Sequence, residues 1–538
     1  MTDVLLIQPP IRDFYLTAKR TLPAGLASVA GALRGRGLSV AMIDALASRK
    51  ARPRSRPPEM AYLDPFYGTP DRSPVALFHQ YYHFGYAFDH IGRLARASGA
   101  PLVGISALFT PYADDALETA RAVKAHHPDC AVVVGGHHAT ALPAAVMACE
   151  AVDYVLRGEG EVGMPILAER LRSGRSVADV PGIVYRRGDG SLHQSAPAAM
   201  ADLDGAPTPA LDLIDPRRYR RKGRGAVVAV TSRGCPLRCT YCCFGGDFPP
   251  YRRRSAAAAV DEISRAAQIA DAGFIDFEDE NLSLDRDWVL DLLSGLRRRL
   301  GPLAPELRAM NGLYPPSLTE PVIRAMRAAG FRTLNLSVGS MDEAQLRRFG
   351  RPDVRAGWER ALALAEAAGL GAVSYLIVGA PDQSPTVSLA DLCHLAARPT
   401  LVGVSVFYPA PGSADYERCE AAGILPPTFA RMRASAIPID HLTDRRAAVT
   451  LLRLGRIINF MKALAADGDL PEAASGVPAR IDPEDRRAAG IAILRTFLKD
   501  GRIRGVTPTG EVFEHEVDRD LTRMFLEARP AVVPPAAG

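Results

Sequence analysis

The chain has 538 residues, 48% of them hydrophobic and 23% charged, and a net charge of +5. These values are ordinary for a globular protein of two or three domains, and the mildly basic charge does not by itself imply a nucleic-acid partner. No run reaches the ~18 unbroken apolar residues of a membrane span, and the start, MTDVLLIQPP, lacks the basic region and cleavage site of a signal peptide, so a cytoplasmic protein with no membrane span is expected.

The first 190 residues alternate strand and helix. DVLLIQPP is a short apolar run closed by Pro-Pro and predicts a buried parallel strand; a helix follows over AGLASVAGALRGRG. LSVAMIDA, PLVGISALF, AVVVGGHH and VDYVLRGEGE predict strands two to five, with the helix DDALETARAVKAHH between the third and fourth. This order predicts a doubly wound parallel α/β sheet. Between strands two and three, about Ser48 to Arg96, lies a long insertion rich in Pro, Tyr, Phe and His, including LFHQYYHFGYAF. Such insertions are functional or disordered, and its aromatic content argues against disorder. Residues 191–224 predict a polar linker whose end, RRYRRKGRGA, is a solvated charge run.

From residue 225 the alternation resumes. Strands are expected at AVVAVTSRGC, FIDFEDENLS, ELRAMNGL, TLNLSVGS, AVSYLIVGA and VGVSVFYPA, with helices between them. About six β/α units over 225–415 predict a partial barrel of parallel strands. Residues 416–538 predict a mostly helical region with one hairpin at GRIRGVTPTGEVFEHE.

The loop after the first barrel strand, TSRGCPLRCTYCCFGG, holds four of the chain's eight cysteines within nine residues. Cys130, Cys149, Cys393 and Cys419 are scattered singly and read as small apolar residues. In a reducing compartment, clustered thiols favour a metal over disulfides. Cys235, Cys239 and Cys242 stand at C-x3-C-x2-C, while Cys243 is adjacent to Cys242 and in an extended loop would point away from it. A cubane iron–sulfur cluster wants four thiolates, so three leave one iron open, as catalytic metal sites require. A zinc site would want a fourth His or Cys nearby, and none follows within about 60 residues.

GCPLRCTYC resembles the signature loop of the radical S-adenosylmethionine (SAM) enzymes, with Tyr241 in the aromatic slot. The resemblance implies that Cys235, Cys239 and Cys242 hold a [4Fe–4S] cluster and that the amine and carboxylate of SAM chelate its open iron. Reduction then cleaves SAM to methionine and a 5′-deoxyadenosyl radical. It further implies that Glu278, Asp279, Glu280 and Asn281, at a strand's carboxyl end, receive the methionine amine; any one of them could instead cap the following helix. LNLSVGSMDEAQLRRFGRP resembles the family's fourth-strand segment, a G-[IL]-E-S turn and a helix ending in Gly-Arg. The usual Glu position is Gly339 here, which leaves Ser337 and Ser340 as candidates for the ribose. Gly379 and Pro381 resemble the G-x-P turn near the adenine, and FYPAPGSADYE resembles the exit of the sixth strand.

The N-terminal domain lacks the G-x-G-x-x-G that a nucleotide-binding Rossmann fold needs after strand one. It resembles cobalamin (B12) binding domains: Ser106-Ala107-Leu108 matches their S-x-L after strand three, and Gly135-Gly136 their Gly-Gly pair after strand four, both at strand carboxyl ends. Their D-x-H-x-x-G is incomplete, because Asp44 is present but Leu46 and Arg49 replace the His and Gly. Cobalamin-dependent radical SAM enzymes commonly lack that histidine, so cobalamin bound without it is expected. His79 and His83, and His137-His138, read more simply as contact histidines than as metal ligands. Tyr82 and Phe84 in the insertion are expected to wall the corrin or the barrel mouth.

Taken together, the resemblance implies a methyltransferase acting on an unactivated carbon of a small molecule or natural product, supplied with electrons by a flavodoxin- or ferredoxin-type donor. The alternatives are a ring contraction, cyclisation or oxidation with the same cofactors, or a non-catalytic carrier. In each catalytic case the Cys235–Cys242 loop should lie opposite the strand ends carrying Ser106 and Gly135.

Overall fold

The structure is a computed structural model that describes residues 2–14, 22–48, 50–245, 250–301, 304–476, 478–528 and 530–535. Arg49 and Gly246, the last residue of the segment TSRGCPLRCTYCCFGG, lie outside the described residues.

The N-terminal sheet has seven strands: β1 (Val4–Gln8), β2 (Val40–Asp44), β3 (Leu102–Ser106), β4 (Ala131–Gly135), β5 (Tyr154–Leu156), β6 (Ile183–Arg186) and β7 (Leu192–Gln194). Their spatial order is β7-β6-β5-β4-β3-β1-β2. The first five strands are parallel in the order 2-1-3-4-5, which places a topological switch point between β1 and β3. β6 and β7 add antiparallel, so the sheet's edge takes in Leu192–Gln194, at the start of the expected linker.

Period-two alternation explains why both faces are covered. Leu5, Ile7, Val103, Ile105, Val132 and Val134 point to one side, against helices Phe88–Ser98 and Ala113–His126. Val4, Leu6, Leu102 and Val133 point to the other, against helices Ala24–Gly35 and Gly160–Arg172. The insertion is ordered. Its strands Ala51–Arg54 and Tyr81–Phe84 form an antiparallel ribbon with Ile11–Asp13, and it ends in the helix Phe88–Ser98. Its rings pack on one another, with Phe14 5.1 Å from Tyr81 and 5.7 Å from Tyr67. It is fastened to the C-terminal region: Tyr67 donates to the Ser435 carbonyl, Arg453 to those of Phe66 and Val75, and Asp71 bonds His515.

The second unit is an open barrel of six parallel strands in sequence order: β8 (Arg224–Ala229), β9 (Ala272–Phe277), β10 (Glu306–Arg308), β11 (Thr333–Gly339), β12 (Gly371–Val378) and β13 (Leu401–Val406). Single bridges, Leu307 to Phe331 and Leu313 to Leu336, join its two halves. The helices start at polar caps: the Ser255 and Asp285 side chains accept from Ala258 and Trp288 amides. An edge strand leaves unpaired backbone groups. The outer edge of β13 is met by Asn459, whose amide accepts from Val402 N–H and donates to Val402 C=O, both at 2.8 Å, from the long helix Arg445–Asp467. The expected C-terminal hairpin is present as Arg504–Val506 against Val512–Glu514.

The carboxyl ends of the two sheets face each other, as a pair of cooperating sites would require. Glu159 and Glu161, after β5, meet Arg233 and Arg252, which flank the cysteine loop. Arg252 bonds Glu159 at 2.7 Å, and Arg233 bonds Glu161 at 2.6 Å and Glu159 at 3.3 Å. Burial alone would raise the Glu159 carboxyl; Arg252 and Arg233 more than offset it and hold it below its usual range. Glu159→Gln leaves the guanidinium of Arg252 short of a counter-charge, while Arg233 keeps Glu161. It is expected to cost about 3 kcal/mol, read as an earlier first transition in chemical denaturation.

Candidate active site

The cysteine loop begins where β8 leaves the barrel mouth. Ser232–Arg233 pairs with Arg252–Arg253 at its neck, and Asp279, just beyond β9, ties the neck down. Its Oδ1 accepts from Thr231 N (3.1 Å) and Oγ1 (2.7 Å) and from Ser232 N (2.5 Å) and Oγ (2.6 Å). Inside the loop Cys239 is buried, while Cys235 and Cys242 are half-buried. Burial pushes the Cys235 thiol up, and Cys242, Cys239 and Glu280 add to it. The three thiols and Glu280 therefore share one electrostatic neighbourhood, although among the described residues no three donor side chains stand at metal-ligating distance.

Cys243 departs from expectation. The backbone there does not stay extended but turns into a short 3-10 helix, Cys243–Gly245. A hydrogen bond between the two thiols pushes Cys242 up and Cys243 down.

Next to the loop stand buried acceptors with no hydrogen-bond partner: Asp279 Oδ2, Glu280 Oε2 and Asn281 Oδ1. Unmet buried acceptors are costly, and burial accordingly pushes the Glu280 carboxyl up to about 8. This set of acceptors fits an ammonium group, which donates to oxygen. Glu278 lies at the same strand end, its N–H on the Ala229 carbonyl and its own carbonyl accepting from Asn311 Nδ2. Tyr241 packs edge-on to Phe349 at 5.0 Å. Gly379 has φ +73° and accepts from His441 Nε2 at 3.0 Å, and the Pro381 carbonyl accepts from Arg348.

The two serines of β11 part company. Ser337 stays at the mouth, its carbonyl bonded by Arg351 at 2.5 Å. Ser340 is fully buried and donates to Asp391 at 2.6 Å. Its hydroxyl thus holds the helix Pro385–Ala396 to the barrel and does not face the loop. Arg351, His441 and the Glu159–Arg252 contact escaped the sequence reading. For Arg351 the Gly-Arg at the helix end was the available signal.

On the opposite sheet, Ser106 and Gly135 are register partners at the strand ends. Gly136 takes φ +116°, and a Cβ there would stand 2.6 Å from the Ala107 carbonyl, so only glycine fits. Leu108 and Phe109 after β3, Val230 after β8 and Tyr408 after β13 are large apolar side chains left exposed at strand ends. Exposed apolar side chains at strand ends suit a flat, largely apolar group, and Gly135 and Gly136 would let its polar tail near the backbone. Asp44 accepts from Leu46 N, Ala47 N and the Tyr219 hydroxyl. His137 meets Phe244 of the cysteine loop, ring centroids 5.5 Å apart. His83 Nε2 contacts the Tyr86 carbonyl at 2.8 Å, and His79 borders an open groove with Arg54 and Arg56. Tyr82 and Phe84 lie 5.5 Å apart, half-buried on the ribbon.

Two family models match in succession: the B12 binding domain over residues 78–168 and the Radical SAM superfamily over residues 229–391. With both matches in this order, the chain is similar to the cobalamin-dependent radical SAM enzymes. It is 28% identical over 300 residues to an uncharacterized methyltransferase of Pyrococcus horikoshii, covering 55% of this chain and 64% of that one. It is 30% identical over 254 residues to an anaerobic magnesium-protoporphyrin IX monomethyl ester cyclase of Rubrivivax gelatinosus, covering 46% and 44%. The chain thus spans less than two thirds of the length of these relatives. Its fold is similar to the solved structure of OxsB, a cobalamin-dependent S-adenosylmethionine radical enzyme with aqua-cobalamin and S-adenosylmethionine bound: TM-score 0.64, 16% identity, covering 92% of this chain and 72% of that one. No helix among the described residues is long and apolar enough to cross a membrane.

His138 gives the facing site a pH signature. Its Nδ1 contacts Thr110 Oγ1 at 3.3 Å, its Nε2 is buried without a partner, and Phe429 of the C-terminal region lies edge-on to it at 4.9 Å. Burial pushes the imidazole down to about 4 from its ordinary 6.5. The folded state therefore favours the neutral ring. Its contribution is full above pH 6.5 and is lost as pH falls from 6.5 through 4, about 3 kcal/mol in all. His138→Asn is expected to flatten the loss of thermal stability across that window, measured by circular dichroism melts from pH 7 to 4.

Proposed function

We propose that this protein is a methyltransferase that uses a [4Fe–4S] cluster, SAM and cobalamin to methylate an unactivated carbon of a small molecule or natural product. The observation that carries the reading is the opposition of the two strand-end faces, in contact through His137 and Phe244. Bound there, these groups would supply radical generation from SAM and transfer of a methyl group.

The chain's own residues divide the work. Cys235, Cys239 and Cys242 hold the cluster, and Asp279 fixes the loop that presents them. Glu280 and Asn281, with Glu278 beside them, accept from the methionine ammonium. Ser337 and the Gly379–Pro381 turn border the nucleoside. Ser106, Leu108, Gly135 and Gly136 seat the cobalamin. The modules run over about 1–190, 225–415 and 416–538, with 191–224 between the first two. The working partners are a flavodoxin- or ferredoxin-type electron donor and a cytoplasmic pool of substrate.

The similarity to a cyclase keeps a second reading, a non-methylating radical reaction. The test is anaerobic reconstitution with iron, sulfide and hydroxocobalamin, then dithionite and SAM, with mass spectrometry for products. 5′-Deoxyadenosine together with S-adenosylhomocysteine supports the methyltransferase. 5′-Deoxyadenosine alone, with substrate candidates present, favours the cyclase-like reading.

A further inference from the structure

Arg351 is 7% exposed, and a buried guanidinium needs a counter-charge. Among the described residues it forms no ion pair with a carboxylate. Its Nε donates to the Val338 carbonyl at 3.1 Å and its Nη2 to the Ser337 carbonyl at 2.5 Å. Its Nη1 points at the sulfur of Cys239, 3.6 Å away, and at the Tyr241 hydroxyl, 3.3 Å away. The group it meets that carries negative charge as a cluster ligand is therefore the Cys239 sulfur.

The backbone explains why the guanidinium ends there. The β11–β12 register slips between Ser337 and Gly339, so two steps on β11 face one on β12. Such a bulge takes carbonyls out of the ladder and re-aims them. Here the carbonyls of Ser337 and Val338 turn to Arg351. Gly339 closes the bulge at φ +86°, and a Cβ at that position would stand 3.4 Å from Arg351 Cδ and 3.7 Å from its Nε. A carboxylate side chain at 339 would thus lie against the guanidinium and take up its charge. With glycine there, that charge is spent on Cys239.

We propose that Arg351 is a positioning residue that sets the reduction potential of the cluster held by Cys239, and that Gly339 keeps its charge available for that purpose. This rests on the reading of Cys235, Cys239 and Cys242 as cluster ligands. A cation donating N–H to a ligand sulfur stabilises the reduced cluster, which carries one more electron, over the oxidised one. Arg351 therefore raises the potential and makes the first electron transfer easier.

The experiment is an EPR-monitored redox titration of the anaerobically reconstituted full chain, with iron and sulfide counted for each sample. Arg351→Met with full iron is expected to titrate at least about 59 mV lower, a tenfold drop in the reduced-to-oxidised ratio at fixed ambient potential. Arg351→Lys, which keeps the charge without the planar fork, is expected between the two. An unchanged potential in Arg351→Met overturns the proposal. Should that variant lose iron, the wild-type protein decides. Grown with guanidinium-¹⁵N arginine and reduced, it is expected to show a ¹⁵N hyperfine coupling to the cluster in pulsed EPR, and absence of that coupling overturns the proposal. A wild-type chain that takes up no cluster overturns the cysteine reading itself, a separate and visible failure.

Discussion

The Cys235→Ala, Cys239→Ala, Cys242→Ala triple variant is expected to bind no iron and to lose 5′-deoxyadenosine formation by at least about three orders of magnitude. The three residues lie in one loop whose neck is tied down at Ser232 by Asp279 and at Arg233 by Glu161. The neck does not depend on the thiols, so the triple variant should keep its fold, and circular dichroism should match wild type. Cys243→Ala provides the contrast. Cys243 lies outside the C-x3-C-x2-C spacing, so its loss should leave iron content unchanged. Loss of iron in Cys243→Ala would instead make Cys243 a ligand, and the assignment of Cys242 would have to change. Iron and sulfide analysis with mass spectrometry of the nucleoside product reads both.

Asp279→Ala is expected to be the most damaging single substitution near the site. One buried carboxylate oxygen serves four donors, two amides and two hydroxyls. Removing it strands two backbone N–H groups, those of Thr231 and Ser232. Each stranded donor costs about 1–3 kcal/mol; the hydroxyls can rotate to other acceptors, so about 4 kcal/mol is expected overall. Asp279→Asn keeps an acceptor oxygen at the same place and should cost about half as much. Urea unfolding of the protein before reconstitution measures both, and iron uptake should fall in the same order, because the neck presents the loop. Equal stability of wild type and Asp279→Ala would mean that the neck is held from elsewhere, with Arg252 and Glu159 the first place to look.

Much of the architecture was legible from local pattern. Buried parallel strands announce themselves as apolar runs such as VLLIQ and AVVVG, and the C-terminal hairpin by its T-P-T-G turn between apolar stretches. The helix Phe88–Ser98 was hidden, because it follows an aromatic strand and reads as more of the same insertion. The extra strands β6 and β7 were hidden too: a short polar strand such as LHQ has no signal apart from its partner.

The sequence by itself determined the order of the two α/β units, the cysteine loop after β8 and the glycine pair after β4. Each of these is written in neighbouring residues, where periodicity, thiol spacing and the need for φ above zero act over a few positions. Only the tertiary structure decided which charges meet across the fold. Glu159 with Arg252 and Arg351 with Cys239 join residues about a hundred positions apart, and no local preference encodes such a distance. It likewise separated Ser337 from Ser340, because a bulge in β11 and the demand of a buried Asp391 for a donor turn one hydroxyl inward. Buried polar groups must find partners wherever packing brings them, and that search is settled by the assembled core.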